Sequence, residues 1–232
     1  MIGHALIFAA GRGERMRPLT DTTPKPLLDA GGKPLIVWHI ERLAAAGVRE
    51  IAINTSHLAE RFPATLGDGA RFGVRIRWSY EGPEPLETGG GMRRALPLLG
   101  DAPFLAINGD IWCDVDFSTL PQSPQGVAHL VVVDNPPQHP HGDFVLRDGR
   151  LYDEPSEHSP RLTFAGVGVY RPELVAAHAP GRFPIAPLLR AAMRAGRVTG
   201  THHRGAWNDI GTPERLRELN AMLARNLPSR PG

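Results

Sequence analysis

The sequence predicts an α/β domain built on a mostly parallel sheet with helices on both faces. Apolar runs at residues 2–10, 50–54 and 104–108 read as buried strands, because strands covered on both faces are continuous hydrophobic runs. Residues 34–46 and 88–99 carry apolar side chains at helical spacing between those runs, and such alternation argues a parallel sheet. From residue 128 onward, shorter strands, a hairpin signal and a proline-rich loop take over, which adds a small β-rich subregion.

Each element has a local reason. The run 2–10 hands the chain directly to the turn Gly11-Arg12-Gly13. The helix 34–46 (PLIVWHIERLAAA) opens on Pro34, suited to a first turn, and stops at Gly47. Residues 58–66 read as a helix interrupted by Pro63, and 74–79 (VRIRWS) alternate as a strand does. After 104–108 (FLAIN) comes Gly109-Asp110. Residues 128–133 (AHLVVV) are a strand and 134–142 (DNPPQHPHG) a polar loop. Asp148-Gly149 between two short runs marks a hairpin. The strand 162–170 (LTFAGVGVY) is weakened by Gly166 and Gly168, a sign of close backbone approach. A helix over 185–195 ends at Gly196, 198–203 reads as a short strand, and 213–227 is a terminal amphipathic helix capped by Thr212.

Composition excludes several classes. The 232 residues suit a single domain with a real core. Net charge is +2 and no Lys/Arg-rich block occurs, so nucleic acid is not an expected partner. No apolar run approaches the roughly 20 residues of a membrane helix, and no charged leader precedes an apolar segment, so neither a membrane partner nor a signal peptide is expected. The single cysteine, Cys113, cannot form an internal disulfide and fits a reducing, cytoplasmic setting; apolar neighbours and the lack of an adjacent base make it structural.

The chemistry concentrates in the first thirty residues. Gly11 and Gly13 let backbone N–H groups approach an anion, and Arg12, Arg15, Arg17 and Lys25 crowd positive charge around the same turn. Met16 breaks the dinucleotide fingerprint GxGxxG, and GxxxxGK[ST] is absent. Of 26 Lys plus Arg, only Lys25 and Lys33 are lysines, so a lysine between Pro24 and Pro26 points to a compact charge that arginine would not replace.

The pattern AAGxGxRMxPLT (residues 9–20) followed by TPKPLL resembles the signature of the sugar-1-phosphate nucleotidyltransferases, with Glu14 where most members carry Thr. The resemblance implies a Rossmann-like, GT-A-like fold in one domain over 1–232. Residues 1–127 would form mainly the nucleotide-binding half, 128–212 mainly the sugar-binding half, and 213–232 the C-terminal helix. It implies a nucleoside triphosphate, UTP favoured, and a sugar 1-phosphate as substrates, with Mg²⁺ as cofactor. Arg15 and Lys25 become the catalytic cations, and Ala10, Gly11, Arg12, Gly13 and Lys25 the nucleotide-phosphate cradle. Glu81, Thr88, Gly89 and Gly90, in EGPEPLETGGG, correspond to the segment that meets the nucleobase. Asp110, in NGD, and Asp209, in WNDIGT, match the metal-binding aspartates; alone, each would be an ordinary turn or cap residue.

For the sugar phosphate, Asn108 stands beside Asp110, Asp143 ends the proline-rich loop, and Gly166 matches a close-approach glycine. Glu154 matches a family segment VEKP in which Pro155 replaces the lysine, so the cation that neutralises the sugar phosphate is missing; Arg161 is one substitute. Asp114 and Asp116 are read as solvated neighbours of the site. The histidines, His139 and His141 among them, lack metal-ligand spacing and read as exposed or hydrogen-bonded. A monomer or small homo-oligomer is expected. Transfer to mannose or glucose 1-phosphate (from GTP, UTP or dTTP) and a non-catalytic sugar-nucleotide sensor are the alternatives.

Overall fold

The computed structural model describes residues 1–154 and 160–226. The chain begins with β1 (His4–Phe8), then α1 (Leu35–Ala45), β2 (Glu50–Thr55), α2 (Arg61–Leu66), β3 (Arg75–Tyr80), α3 (Glu87–Leu99) and β4 (Phe104–Asn108). The second half adds β5 (Ile111–Cys113), β6 (Ala128–Val133), the hairpin β7 (Phe144–Arg147) and β8 (Arg150–Tyr152), and the long β9 (Arg161–Tyr170). It closes with α4 (Glu173–Ala176), α5 (Ala186–Arg194), β10 (Val198–His202), β11 (Trp207–Asp209) and α6 (Pro213–Asn226).

The main sheet has nine strands in the order β3-β2-β1-β4-β9-β6-β10-β8-β7. Its first four neighbours are parallel; β9 then enters antiparallel between β4 and β6. Only β8 and β9 run against the rest. The carboxyl ends of β1 and β4 therefore lie side by side, Phe8 opposite Asn108, where open α/β sheets bind ligands.

Alternation along β1 divides the core. Ala5 and Ile7 pack with Ile36, Ile40 and Leu43 of α1 and Phe62 and Leu66 of α2. Leu6 packs on the other face with Met92, Ala95 and Leu99 of α3, Val175 of α4 and Leu189 and Met193 of α5. A third cluster joins Leu216, Leu219 and Leu223 of α6 to Met16, Leu28, Trp112 and Ile210, so the terminal helix buttresses the glycine turn from outside the sheet.

Three local details differ from the sequence expectation. Pro63 does not interrupt α2: it is the third residue of that helix, where its missing N–H has no intrahelical acceptor to lose. The helix expected over 88–99 opens one residue earlier, at Glu87, and holds the glycines 89–91 inside its first turns. Finally, β5 and β11 pair as a separate two-stranded ribbon, each too short for any periodicity to announce it. The hairpin is as read: Asp148 (φ 49°) and Gly149 (φ 72°) both take the left-handed conformation of a tight turn.

Candidate active site

A cavity of about 480 Å³ opens above the carboxyl ends of β1 and β4, lined by residues 8–16, Lys25, Asn54, Glu81, Glu87, Thr88, Asn108, Asp110 and Gly211. Gly13 sits at φ 63°, a left-handed conformation that lets the turn fold back, with Met16 N–H donating to its carbonyl at 2.8 Å. Met16 is fully buried in the third cluster and anchors the turn, which leaves Arg12 and Arg15 exposed at the cavity wall. Gly109 allows the other half of the junction: its N–H donates to the Phe8 carbonyl at 2.8 Å, and a Cβ there would lie 2.7 Å from that oxygen.

Lys25 sits in a 3-10 turn between Pro24 and Pro26, only 6% exposed. Its Nζ donates to Asp110 Oδ2 at 2.9 Å, while the Asp110 side chain remains 43% exposed toward the cleft. Asp110 and Asp209 are brought together by the ribbon. Asp209 is in register with Ile111, and Ile210 N–H donates to the Asp110 carbonyl at 3.0 Å. Asp209 Oδ2 accepts from Arg215 Nη1 at 2.7 Å, a residue of the first turn of α6. Gly211 is the point of convergence: a Cβ there would stand 2.8 Å from Arg215 Nη1, 3.1 Å from Asp209 Oδ2 and 3.4 Å from Arg15 Nη1.

The ribbon is fixed from behind by His39 of α1, whose Nε2 meets the Ile111 carbonyl at 2.8 Å. That contact requires Nε2–H, and burial holds the imidazole neutral, its pKa lowered to about 4. The buried Cys113 on the same strand has its thiol pushed up to about 11 by desolvation, which suits a structural side chain.

A second cavity of about 220 Å³ shares Asn108 and Asp110 with the first and continues it toward β9. Its walls are Ile111, Pro136, Gln138, His139, Thr163, Phe164, Gly166, Trp207 and Asp209. Gly166, at φ 76°, lies against Asn108, and a Cβ would stand 2.8 Å from the Asn108 amide nitrogen. Trp207 is locked as a wall by its indole N–H on the Ala165 carbonyl at 2.8 Å.

Several expected site residues are placed otherwise. Gly89 and Gly90 line neither cavity of the cleft; they make room for the 181–183 segment, since Cβ atoms there would lie 2.5 Å from the Phe183 ring and 2.2 Å from the Gly181 carbonyl oxygen. Thr88 does face the larger cavity. Glu81 reaches that cavity, but its carboxylate is engaged internally, accepting from Asn54 Nδ2 and from Leu86 N–H, both at 2.6 Å. Desolvation raises its pKa. Asn54 passes the link on to Ala9 N–H at 2.6 Å, so Glu81 shapes the cavity by tying its loop to β1. Asp143 likewise turns inward, binding His139 Nε2 at 3.1 Å and Phe164 N–H at 2.8 Å. Arg161 donates to the backbone carbonyls of Asp143 (2.8 Å) and Asp153 (2.5 Å) behind the loop, away from the smaller cavity. Glu154 is exposed and lines neither cavity; Pro155 lies outside the described residues.

Sequence reasoning missed Arg215, Gly211 and Asn54, while His139 is exposed and hydrogen-bonded, as read. A signal existed for Arg215 alone: with Thr212 as cap, the third helical residue points back at the preceding Asp209. Glu87 was also missed; it lines the larger cavity with φ 62°, a left-handed conformation that is strained for a side-chain-bearing residue.

A basic, glycine-rich turn facing two carboxylates across the strand ends of an α/β sheet is the layout of an enzyme acting on phosphorylated substrates. The chain belongs to the nucleotidyl transferase family, whose model matches residues 4–226. It is 50% identical over 225 residues to an N-acetylmuramate alpha-1-phosphate uridylyltransferase of Neisseria meningitidis, spanning 94% of this chain and 97% of that one. It is 34% identical to the enzyme of the same name from Caulobacter vibrioides, over 95% and 96% of the two chains. The fold is also that of a UDP-glucose pyrophosphorylase solved with UDP-glucose, at TM-score 0.77 and 21% identity over 98% of this chain and 100% of that one.

Proposed function

We propose that this protein transfers a uridylyl group from UTP to N-acetylmuramic acid 1-phosphate, releasing pyrophosphate and UDP-N-acetylmuramic acid, a reaction of cell-wall peptidoglycan recycling in the cytoplasm. The observation that carries the reading is the shared wall of the two cavities: Asn108 and Asp110 border both, so two substrates bound side by side would meet there. The half-identical relative supports the choice of sugar and nucleotide.

A phosphate oxygen of the sugar phosphate attacks the α-phosphorus of UTP in line. The bond between that phosphorus and the bridging oxygen breaks, and pyrophosphate leaves with its electron pair. A phosphate monoester is already ionised near neutral pH, so no strong base is needed, and catalysis is positioning plus charge stabilisation. N–H groups of residues 10–13 and the guanidinium groups of Arg12 and Arg15 hold the triphosphate. Lys25, paired with Asp110, would stabilise the negative charge that develops on the departing pyrophosphate.

The donors around Asp110 and Asp209 fit Mg²⁺, a hard cation that takes carboxylate oxygens together with substrate phosphates. Among the described residues no group of three or more His, Cys, Asp or Glu gathers around a metal position, so this pair would be the protein's share of the ligands. When bound, the ion supplies charge neutralisation at the reacting phosphates. Arg215 fixes the rotamer of Asp209 for that task.

The test is pyrophosphate release in Mg²⁺ buffer, with each nucleoside triphosphate paired against N-acetylmuramic acid, N-acetylglucosamine, mannose and glucose 1-phosphates. UTP with N-acetylmuramic acid 1-phosphate is expected to give the highest kcat/KM. Preference for GTP with mannose 1-phosphate would replace the substrates and keep the chemistry. Release from no pair would leave a non-catalytic sugar-nucleotide binder.

A further inference from the structure

The smaller cavity has an unusual charge balance. The substrate read for it carries a carboxylate on its lactyl ether as well as a phosphate, yet the two charged side chains that line it, Asp110 and Asp209, are acidic. Among the described residues of its wall, His139 is the one side chain able to carry positive charge. Arg161, the nearest alternative by sequence, is occupied behind the loop by two backbone carbonyls.

His139 is held by a hydrogen-bond chain that ends on the sheet. It is on the loop between β6 and β7, 44% exposed, with Nε2 on Asp143 Oδ1 at 3.1 Å. The other Asp143 oxygen accepts the Phe164 N–H of β9 at 2.8 Å, so the carboxylate is pinned to the sheet and orients the ring. The loop is tied at a second point: Asn135 Nδ2 donates to the carbonyls of Pro140 (3.1 Å) and Arg161 (2.9 Å), and its Oδ1 accepts from Thr163 at 2.9 Å. Such fastening is the support a recognition side chain requires.

We propose that His139, oriented by Asp143, selects a sugar phosphate bearing a carboxylate. As imidazolium it donates Nε2–H to Asp143 and offers Nδ1–H to the carboxylate of the sugar substituent. Without it, that carboxylate would meet no cationic side chain of the cavity wall, because the nearby cations Lys25 and Arg215 are already engaged by Asp110 and Asp209. His139 is here a specificity residue: it touches no reacting atom.

This inference rests on the reaction proposed above, and one experiment separates the two. kcat/KM is measured on the full chain with UTP and Mg²⁺ for N-acetylmuramic acid 1-phosphate and for N-acetylglucosamine 1-phosphate, which lacks only the lactyl acid. Wild type is expected to favour the acidic sugar; preference for the neutral one would overturn the proposed function before any variant is made. His139→Gln should lower the acidic-to-neutral ratio by about tenfold, the scale of one charge-assisted hydrogen bond. His139→Arg should recover part of it. Damage to the loop alone would lower both substrates together and leave the ratio in place. An unchanged ratio in His139→Gln, beside a wild type that prefers the acidic sugar, would overturn the role of His139 and leave the reaction standing.

Discussion

The two cavities of the cleft are built in opposite ways. The larger one is made from loops that directly follow parallel strands and is crowded with Arg12, Arg15 and Lys25. The smaller one is assembled from an antiparallel strand, a ribbon and a proline-rich loop, and is lined by two acids and one imidazole. If the substrates bind as proposed, charge on one side would provide strong, undiscriminating attraction for phosphates, and its scarcity on the other would leave room for a single group to decide which sugar enters. The largest effect should therefore come from the crowded side. Lys25→Ala is expected to lower kcat by about 10³-fold, the scale of losing one preorganised charge at a transition state, with a small change in melting temperature. A melting temperature that collapsed with activity, or activity within tenfold of wild type, would mean that Lys25 serves the fold or nothing.

The next effect tests the seam where the two cavities meet. His39 supports the Ile111 carbonyl beside Asp110 from within the core. Its pKa is lowered from 6.5 to about 4, mainly because burial disfavours the charged ring. Above pH 6.5 the ring is neutral folded and unfolded, so it places no pH dependence on stability. As pH falls from 6.5 toward 4, the unfolded chain gains a proton that the folded chain refuses, and stability drops by on the order of 3 kcal/mol. His39→Gln keeps a donor for Ile111 and has nothing to protonate. Urea midpoints at pH 7 and pH 4.5 should converge in that variant relative to wild type; an identical acid-side loss in both would assign the loss elsewhere.

The same division governs what the sequence revealed. The parallel half was legible because its strands are continuous apolar runs and its site residues sit at or directly after their ends: residues 10–13 after β1, and 108–110 at the end of β4. The smaller cavity was legible only through the family resemblance, which named Asn108, Asp110, Gly166 and Asp209; its pieces come from residues 108–111, 136–139, 163–166 and 207–209, and no local pattern says that they converge. Asp143, read as part of the sugar-phosphate site, has its carboxylate hydrogen-bonded to His139 and the Phe164 N–H, since a side chain's direction depends on contacts that only the fold supplies. Gly89 and Gly90 show a related blind spot. A glycine run signals close approach, but not whether a ligand or another part of the chain is what comes close; here it is the 181–183 segment.

The smallest effect turns that ambiguity into a measurement on the glycine turn itself. Gly13 has an internal reason to be glycine: φ is 63°, and a Cβ would meet Thr20 at 3.0 Å and Lys25 at 3.2 Å. Gly13→Ala should cost about 1–2 kcal/mol of stability from the left-handed conformation alone. Gly11 has no such reason, for its φ is outside the left-handed region and a Cβ there meets nothing within 4 Å. If Gly11 is glycine because triphosphate oxygens approach it, Gly11→Ala should leave the melting temperature unchanged or slightly raised through the stiffer unfolded chain. It should also raise KM for UTP by roughly tenfold with KM for the sugar phosphate held, the loss of about one hydrogen bond's worth of binding. An unaltered KM for UTP would show that the ligand does not reach residue 11, and the triphosphate would then have to sit further out, toward Arg12 and Glu87.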